Sequence, residues 1–392
     1  MSPPDAVSPV PRGSAARKAP PEVTTMVRLI SDTWAQAEPY LPEMSQTFYG
    51  LLFTLAPDTR ELFPINVEVR RGKLMRAIAR VVQMVDRPDD LVPFLTQLGR
   101  DYRKFAVETR HYEAIGTAML AALREQLGEA WTPDVERAWA EGYTIVARSM
   151  QEAAASDPSP ALLSATVTDH RRLSWDLALV RIEPDAQVSY RAGQYVSVEI
   201  PQRPRLWRYL SPANAPREDG SLEFHVRAVD GGWVSRAIVS HTQPGDIWHL
   251  GPPLGRLSID RGAGRDVLMI AGGTGSAPLR ALVDDLARWG KNPNVTMFFG
   301  GRTADDLYEL DSLRALESVN PWFTVVPVVE SGGGITGAEQ GTLAEVVTKR
   351  GAWPDHDVLV SGSPQMIKAT VSRLLVSGTS LDQIAYDPFT LD

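Results

Sequence analysis

Residues 267–278 read VLMIAGGTGSAP, an apolar run followed by a glycine-rich turn. The run from Val267 to Ala271 has the length and composition of a buried strand, and the pattern from Leu279 onward is helical. Glycine lets backbone N–H groups approach a diphosphate, and the N-terminus of a following helix favours its negative charge. The stretch therefore predicts a dinucleotide-binding turn, with contacts from Gly272, Gly273, Thr274, Gly275 and Pro278.

A second segment, VLVSGSPQMI at residues 358–367, repeats this plan of strand, glycine turn and helix. In a parallel sheet the two turns meet at the carboxyl edge, so we expect Gly362 to lie beside the first turn. Apolar runs at 295–299 and 323–329 alternate with helical patterns. Together these features predict an α/β Rossmann-like NAD(P) domain over residues 263–392.

The preceding segments have different periods. Residues 160–262 include runs in which apolar and polar residues alternate, which predicts antiparallel sheet. In residues 23–156 apolar residues recur at spacings of three and four between prolines, which predicts an all-α domain of six or more helices. Residues 1–22 are rich in proline, alanine and serine, and we expect a disordered tail. The chain is thus predicted to be multidomain.

Composition narrows the classes of partner and site. The chain has 392 residues and a net charge of −8 without long runs of either sign, which argues against nucleic acid and favours a small-molecule substrate. No apolar stretch is long enough for a membrane span, and no signal peptide is apparent, so the cytoplasm is the expected location. The absence of cysteine excludes disulfides, thiolate-held zinc and cysteine-held iron–sulfur clusters.

Three further segments stand between the linker at 157–160 and the first glycine turn: RAGQY at 191–195, RYLS at 208–211 and GGWVS at 231–235. With the two turns, they resemble the motifs of the ferredoxin–NADP reductase-like flavoproteins. The resemblance implies an antiparallel Greek-key β-barrel FAD domain, in which an arginine holds the FAD pyrophosphate and a serine lies against the flavin. It implies FAD contacts from Tyr195, Arg208, Tyr209, Ser211, Gly232, Val234 and Ser235.

One position departs from that pattern. The tyrosine of the family motif falls at Leu210, and the tyrosine of this chain stands one residue earlier, at Tyr209. Successive side chains of a strand point to opposite faces, so the residue that flanks the isoalloxazine stays open.

The C-terminal segment IAYDPF, residues 384–389, resembles the terminal strand of the same family. The resemblance implies that Phe389 covers the flavin where nicotinamide arrives and that Asp387 is the acid preceding it. Arg302 follows the second strand of the NAD(P) domain, where the adenosine ribose lies in the family. It could hold a 2′-phosphate or stack on adenine, so NADH and NADPH both remain possible.

The helical domain carries the segments FYGLLF at 48–53 and TRELF at 59–63. A domain of this kind in front of a FAD and NAD module resembles the flavohaemoglobins, in which a globin haem b receives electrons from the flavin and dioxygenates nitric oxide to nitrate. The resemblance implies that Tyr49 hydrogen-bonds haem-bound oxygen, that Phe63 wedges the haem and that Leu74 lies over the iron.

The proximal side of the predicted haem site departs from that family. Aligning residues 100–105 and 111–116 with it places Tyr102 at the haem-ligating histidine and Tyr112 at the tyrosine that supports this ligand. The only histidine of residues 23–156 is His111. A phenolate stabilises ferric iron and opposes the ferrous state that binds oxygen, so ordinary nitric oxide dioxygenation is in doubt.

Three hypotheses for the function follow. The first is a flavohaemoglobin-like enzyme with tyrosine ligation that performs nitric oxide, oxygen or peroxide chemistry. The second is a flavin reductase whose globin-like domain has lost haem and serves in docking or regulation. The third is a sensor, or an electron donor to a separate protein acceptor. The sequence leaves the physiological acceptor and the oligomeric state open.

Overall fold

The computed structural model of the protein describes residues 21–63, 77–332 and 335–387. Within these ranges a helical domain precedes two six-stranded sheets, the first antiparallel and the second parallel. This architecture confirms the predicted fold class. Two site residues expected from the sequence, Leu74 and Phe389, lie outside the described residues, as does most of the expected tail.

The helical domain contains six helices in its described part, as the periodicity predicts. Its core joins the helices through aromatic side chains: the rings of Trp34 and Trp139 are 6.2 Å apart, and Trp139 Nε1 donates to Thr33 Oγ1 over 2.9 Å. The helices are α1 (Pro21–Ala37), α2 (Leu41–Leu55), α3 (77–83), α4 (Pro88–Tyr102), α5 (Thr109–Leu127) and α6 (Pro133–Ser156).

Two helix starts show how local sequence sets these bounds. Proline occupies the first position of α6, where its missing N–H would have no helical partner, and the side chain of Thr132 accepts from the Val135 amide. The first helix also begins with a proline, Pro21, inside the segment 1–22 that was expected to be a tail.

The second domain is an antiparallel barrel with strand order β4-β3-β6-β1-β2-β5. A bridge between Pro212, just after β4, and Phe224 of β5 brings the two edge strands together. Trp248 and Phe224 stack in its core with ring centroids 6.3 Å apart. Its elements are β1 (Leu163–Arg172), β2 (Leu177–Pro184), β3 (Val196–Glu199), β4 (Trp207–Leu210), β5 (Leu222–Arg227), α7 (Trp233–His241) and β6 (Ile247–Leu250).

The third domain is a parallel sheet with order β10-β9-β8-β7-β11-β12. From β7 the chain first adds β8, β9 and β10 on one side and then β11 and β12 on the other. The switch point therefore lies between β7 and β11, and α/β sheets bind ligands at such points. The elements are β7 (Asp266–Gly272), α8 (Ser276–Leu286), β8 (Val295–Gly301), α9 (Leu310–Val319), β9 (Phe323–Val329), β10 (Glu339–Gln340), α10 (Leu343–Lys349), β11 (His356–Ser361), α11 (Pro364–Val376) and β12 (Ile384–Ala385).

One boundary in this domain differs from expectation. Helix α8 begins at Ser276 and not near Leu279, because a single 3₁₀ turn over Gly273–Gly275 continues directly into it. Pro278 is compatible with this earlier start, since proline is tolerated in the first turn of a helix. Across the described chain, no helix has the length and apolar character needed to cross a membrane.

Candidate functional site

The two glycine turns of the parallel sheet lie in contact. A Cβ added at Gly275 would stand 2.4 Å from the carbonyl oxygen of Ser361 and 2.6 Å from Gly362 Cα, which only glycine allows. Gly273 has φ 54°, in the left-handed region, and nothing lies within 4 Å of the position of its Cβ. The first turn therefore offers open backbone at the start of α8, where a diphosphate would be favoured.

A buried polar network joins this turn to the barrel. Ser276 Oγ donates to Glu309 Oε2 over 2.8 Å and lies 3.2 Å from the Tyr308 hydroxyl, which is 2.9 Å from His225 Nδ1. Arg280 pairs with Glu309 over 2.9 Å. Burial lowers the pKa of His225, but the neighbouring carboxylates, led by that of Glu309, outweigh burial and raise it. Sequence reasoning missed this network, because its members are scattered over two domains.

The flavin-motif strand β4 places its side chains on two faces. Arg208 pairs with Val198 and Tyr209 with Ser197 across β3. The hydroxyl of Tyr209 donates to Asp101 Oδ2 of the helical domain over 2.8 Å, and Leu210 packs against the barrel core. Tyr209 thus faces the helical domain, on the side of β4 opposite to Arg208.

The other positions of the predicted flavin site lie beside β4 and at the turn before α7. The ring of Tyr195 lies 5.1 Å from that of Tyr209, and Ser211 directly follows β4. The turn at Gly232 leads into α7, whose first two residues after Trp233 are Val234 and Ser235. The first N–H groups of a helix are available to a phosphate, so the predicted contacts with FAD would be made at the start of α7.

Asp387 is buried beside Tyr195. Its Oδ1 accepts the backbone N–H of Arg256 over 2.9 Å, whereas its buried Oδ2 has no hydrogen-bond partner among the residues that the structure describes. A Cβ at Gly255 would stand 2.8 Å from this Oδ2 and 2.9 Å from the Tyr195 ring, so the two side chains flank one glycine. Burial raises the pKa of Asp387 to about 6.

Arg302 lies at the open end of β8. Its side chain is 78% exposed, and its Nε is 3.8 Å from Asp306 Oδ2. The guanidinium is therefore accessible to a nucleotide, and the structure leaves both 2′-phosphate binding and adenine stacking open.

The helical domain encloses a cavity of about 420 Å³. The cavity is lined by the four described residues to which the sequence assigns roles at a haem, Tyr49, Phe63, Tyr102 and Tyr112. The barrel closes one end of this cavity with residues that sequence reasoning did not assign to it, namely Arg205, Trp207 and Tyr209. No sequence signal links these positions to the helical domain, because they belong to a different domain of the chain.

Tyr102 ends α4, and its ring meets that of Phe105 at 5.5 Å. Its hydroxyl has no hydrogen-bond partner among the described residues. Burial raises the pKa of Tyr102, and the negative charge of Asp101 and the neighbouring Tyr112 raise it further. Without a cation in the cavity the phenol is therefore neutral.

His111 is not part of the cavity lining in the described structure. Its Nδ1 accepts the Glu108 backbone N–H and its Nε2 lies 2.9 Å from Asp58 Oδ2, so it caps the start of α5. The described lining contains no histidine.

A large apolar cavity with an unpartnered phenol oxygen in its wall fits a flat apolar cofactor that carries a cation. A bound cation lowers the pKa of an anionic ligand and so opposes the increase that burial causes.

A buried ion pair joins the cavity wall to the barrel. Lys104 Nζ lies 2.6 Å from Asp101 Oδ1 and 3.0 Å from Ser197 Oγ, and both charged side chains are almost fully buried. Trp207 and Tyr209 lie beneath the ammonium group, with ring centroids at 4.9 and 5.6 Å. Asp101 therefore receives hydrogen bonds from both domains.

Comparison with known proteins agrees with this arrangement. Three sequence-family models match: a globin over residues 46–150, an oxidoreductase FAD-binding domain over 164–259 and an oxidoreductase NAD-binding domain over 269–372. A flavohemoprotein of Bacillus subtilis (strain 168) is 21% identical over 385 residues, which cover 93% of this chain and 96% of that protein. A flavohemoprotein of Bordetella parapertussis is 28% identical, with 77% and 79% covered.

Another relative matches a smaller share of the chain. The xylene/toluene monooxygenase electron transfer component XylA of Pseudomonas putida is 29% identical over 235 residues, which span 59% of this chain and 66% of that protein. Among solved structures, a flavohemoglobin from Malassezia yamatoensis with bound FAD and heme superimposes with a TM-score of 0.78 at 17% identity, over 93% of this chain and 99% of that one, so the two share a fold.

The three family matches follow one another in the order of the three observed domains, and the full-length relatives share that order. The chain is therefore a flavohaemoglobin-like protein, with a globin domain fused to a flavin reductase module that has FAD-binding and NAD-binding domains.

Proposed function

We propose that this protein passes electrons from NADH or NADPH through FAD to a haem b in the globin cavity, with Tyr102 as the proximal ligand. One observation carries the proposal: the cavity that contains Tyr102 and Tyr112 is closed by β4, the strand that bears the flavin motif. A haem in the cavity and a FAD on the other side of β4 would be separated by few side chains, Tyr209 among them.

The reductase residues have defined tasks in this proposal. The open turn at Gly273 binds the nicotinamide diphosphate, and Arg208 pairs with the FAD pyrophosphate by a charge-assisted contact. Asp387 lies next to Tyr195 at the proposed flavin site and can hold a proton near neutral pH, because burial raises its pKa to about 6. FAD accepts hydride and can release electrons singly, which is the chemistry that a haem acceptor requires.

The globin residues determine which chemistry the cofactor supports. Haem supplies one-electron and oxygen chemistry when bound, and the protein adjusts it through the ligand and its surroundings. Tyr102 would provide an anionic oxygen, which favours ferric iron. Tyr49, in the wall of the same cavity, would donate to a bound diatomic molecule. We therefore expect slow nitric oxide dioxygenation by this chain.

The absorption spectrum of the full-length protein tests this proposal. A Soret band together with flavin bands is expected, with ferric character that persists after anaerobic addition of NADH reduces the flavin. Tyr102→His should then allow reduction of the haem by NADH and give a ferrous spectrum that responds to oxygen. Tyr102→Phe is the matched control, because it keeps the ring but supplies no ligand, and it should lose haem. Fast NADH-driven nitric oxide consumption by the natural chain would contradict the ligand assignment.

A second candidate function is a reductase whose globin domain carries no haem. The described cavity lining favours it, because it contains no histidine and a neutral phenol is a poor ligand. In that case flavin bands appear alone, and NADH oxidation depends on an added acceptor. An acceptor protein is then the natural partner, as the name of the relative XylA, an electron transfer component, suggests. Either function would draw on NAD(P)H, a cofactor of the cell interior, which favours a cytoplasmic location.

A further inference from the structure

The described lining of the globin cavity is almost entirely apolar, and its charged groups gather at the end closed by the barrel. Two cationic side chains line this end, Lys104 from the globin domain and Arg205 from the loop before β4. A ligand whose apolar body fills the cavity would place any anionic substituents here, because burial of an unpaired carboxylate elsewhere in the lining is costly.

The two cations differ in whether their charge is already neutralised. Lys104 is buried against Asp101 at 2.6 Å and donates to Ser197 as well. Arg205 is half-buried, and its guanidinium forms no hydrogen bond or ion pair with any residue that the structure describes. Arg205 is therefore the cation of this described lining that is available to an anion.

The backbone of Arg205 is held in an unusual conformation. Its φ is 65°, in the left-handed region, where residues other than glycine, asparagine and aspartate are uncommon. The Arg205 backbone N–H donates to the carboxylate of Glu199 on β3, which fixes the loop. A strained backbone of this kind is retained when the surrounding structure requires it. The strained residue here is the one whose guanidinium lines the cavity of the neighbouring domain.

We propose that Arg205 binds a carboxylate of the haem, so that the haem-binding site is completed by a side chain of the FAD-binding domain. This proposal rests on the proposed function, since it requires haem in the globin cavity. Haem b carries two propionates, and a guanidinium is well suited to pair with carboxylates. The contact would couple haem occupancy to the docking of the two domains.

Haem titration of the full-length, FAD-loaded protein, purified without haem, tests this inference. The probes are haemin and haemin dimethyl ester, which lacks carboxylate charge but retains the porphyrin and iron. Arg205→Asn should weaken haemin binding about tenfold to a hundredfold, the range for a hydrogen bond to a charged group, and leave ester binding unchanged. Asparagine is chosen because it tolerates the left-handed conformation. Growth of the Soret band and quenching of tryptophan fluorescence report binding without any assay of activity.

Two further variants complete the experiment. Arg205→Lys should retain part of the preference for haemin over the ester. Arg203→Asn changes an arginine of the same loop that donates to its own loop carbonyl and does not line the described cavity, and it should have no effect on either probe. Equal weakening of both probes by Arg205→Asn, or no weakening of haemin, would overturn the inference while leaving haem binding itself intact. If the natural chain binds neither probe, the proposed function fails and the inference with it.

Discussion

The nucleotide turns and the globin cavity are built on opposite principles. At Gly273 and Gly275 the site is backbone, and its geometry follows from a strand, a glycine turn and a helix that are adjacent in sequence. The globin cavity is a space among side chains from several helices and from another domain's strand. A backbone site tolerates almost any fold-compatible neighbours, whereas the chemistry of the cavity site would depend on one residue, Tyr102, if it is the haem ligand as we propose.

The two regions also differ in how charge is handled. At the start of α8 partial positive charge comes from the backbone and costs no burial of ions. Beside the cavity a full ion pair, Asp101 with Lys104, is buried between two domains. Buried pairs are sensitive to the loss of one partner, so this interface should be the more vulnerable region.

The largest effect is expected at this ion pair. Asp101→Asn leaves the Lys104 ammonium buried without a counter-charge and should lower the free energy of unfolding by about 3–5 kcal/mol, measured by urea denaturation of the full chain. Asp134→Asn, which removes one partner of an exposed pair with Arg137, is the control and should change stability little. Addition of Lys104→Met to Asp101→Asn should recover much of the loss. An unchanged free energy of unfolding in Asp101→Asn would show that the buried ion pair does not stabilise the contact between the two domains.

The next largest effect concerns the nucleotide turn. Gly273→Glu places a carboxylate where a diphosphate is bound and requires a left-handed conformation that glutamate disfavours. Stopped-flow reduction of the flavin by NADH or NADPH should slow about a hundredfold or more, the loss expected for two hydrogen bonds to a charged group, with FAD content unchanged. Gly290→Glu, at an open glycine of the same domain, is the control. An unchanged rate of flavin reduction in Gly273→Glu would contradict the assignment of this turn to nucleotide binding.

A smaller effect is expected on the other side of the barrel. Arg208→Ala removes the proposed partner of the FAD pyrophosphate and should weaken FAD binding about tenfold or more. Flavin content after dialysis, together with circular dichroism of the helices, separates cofactor loss from unfolding. The control is Arg181→Ala, on β2, whose side chain is partly exposed near Glu223. Full flavin occupancy in Arg208→Ala would show that the motif has been placed wrongly.

The smallest effect concerns Asp387 and pH. Its pKa of about 6 in the folded protein lies above the ordinary value of 3.8, so the folded state binds a proton more tightly than the unfolded chain. Its stabilising contribution is complete below about pH 4 and is lost as the pH rises to 6. Relative to the natural chain, Asp387→Asn should raise Tm by a few degrees at pH 7 but not at pH 4. Asp260→Asn, at an exposed aspartate, is the control, and a pH-independent difference would contradict the assignment.

Local patterns were sufficient for most of the fold. Periodicity predicted the helical domain, the antiparallel sheet and the parallel sheet, because each period follows from the geometry of one element. The start of α8 was misplaced, since the continuity of a 3₁₀ turn with a helix depends on the backbone and not on an apolar pattern. The order of motifs also predicted that Tyr49, Phe63, Tyr102 and Tyr112 belong to one site. In the structure all four residues line the same cavity.

The sequence by itself determined which residue types the proposed sites can use: two glycine turns, an arginine in the segment RYLS, no cysteine, and His111 as the only histidine of residues 23–156. Only the tertiary structure revealed the contacts across domains. Tyr209, displaced by one residue from its motif, donates to Asp101, and Arg205 reaches the globin cavity from the barrel. Such contacts join residues about a hundred positions apart, and no local pattern encodes them, because they depend on how completed domains pack together.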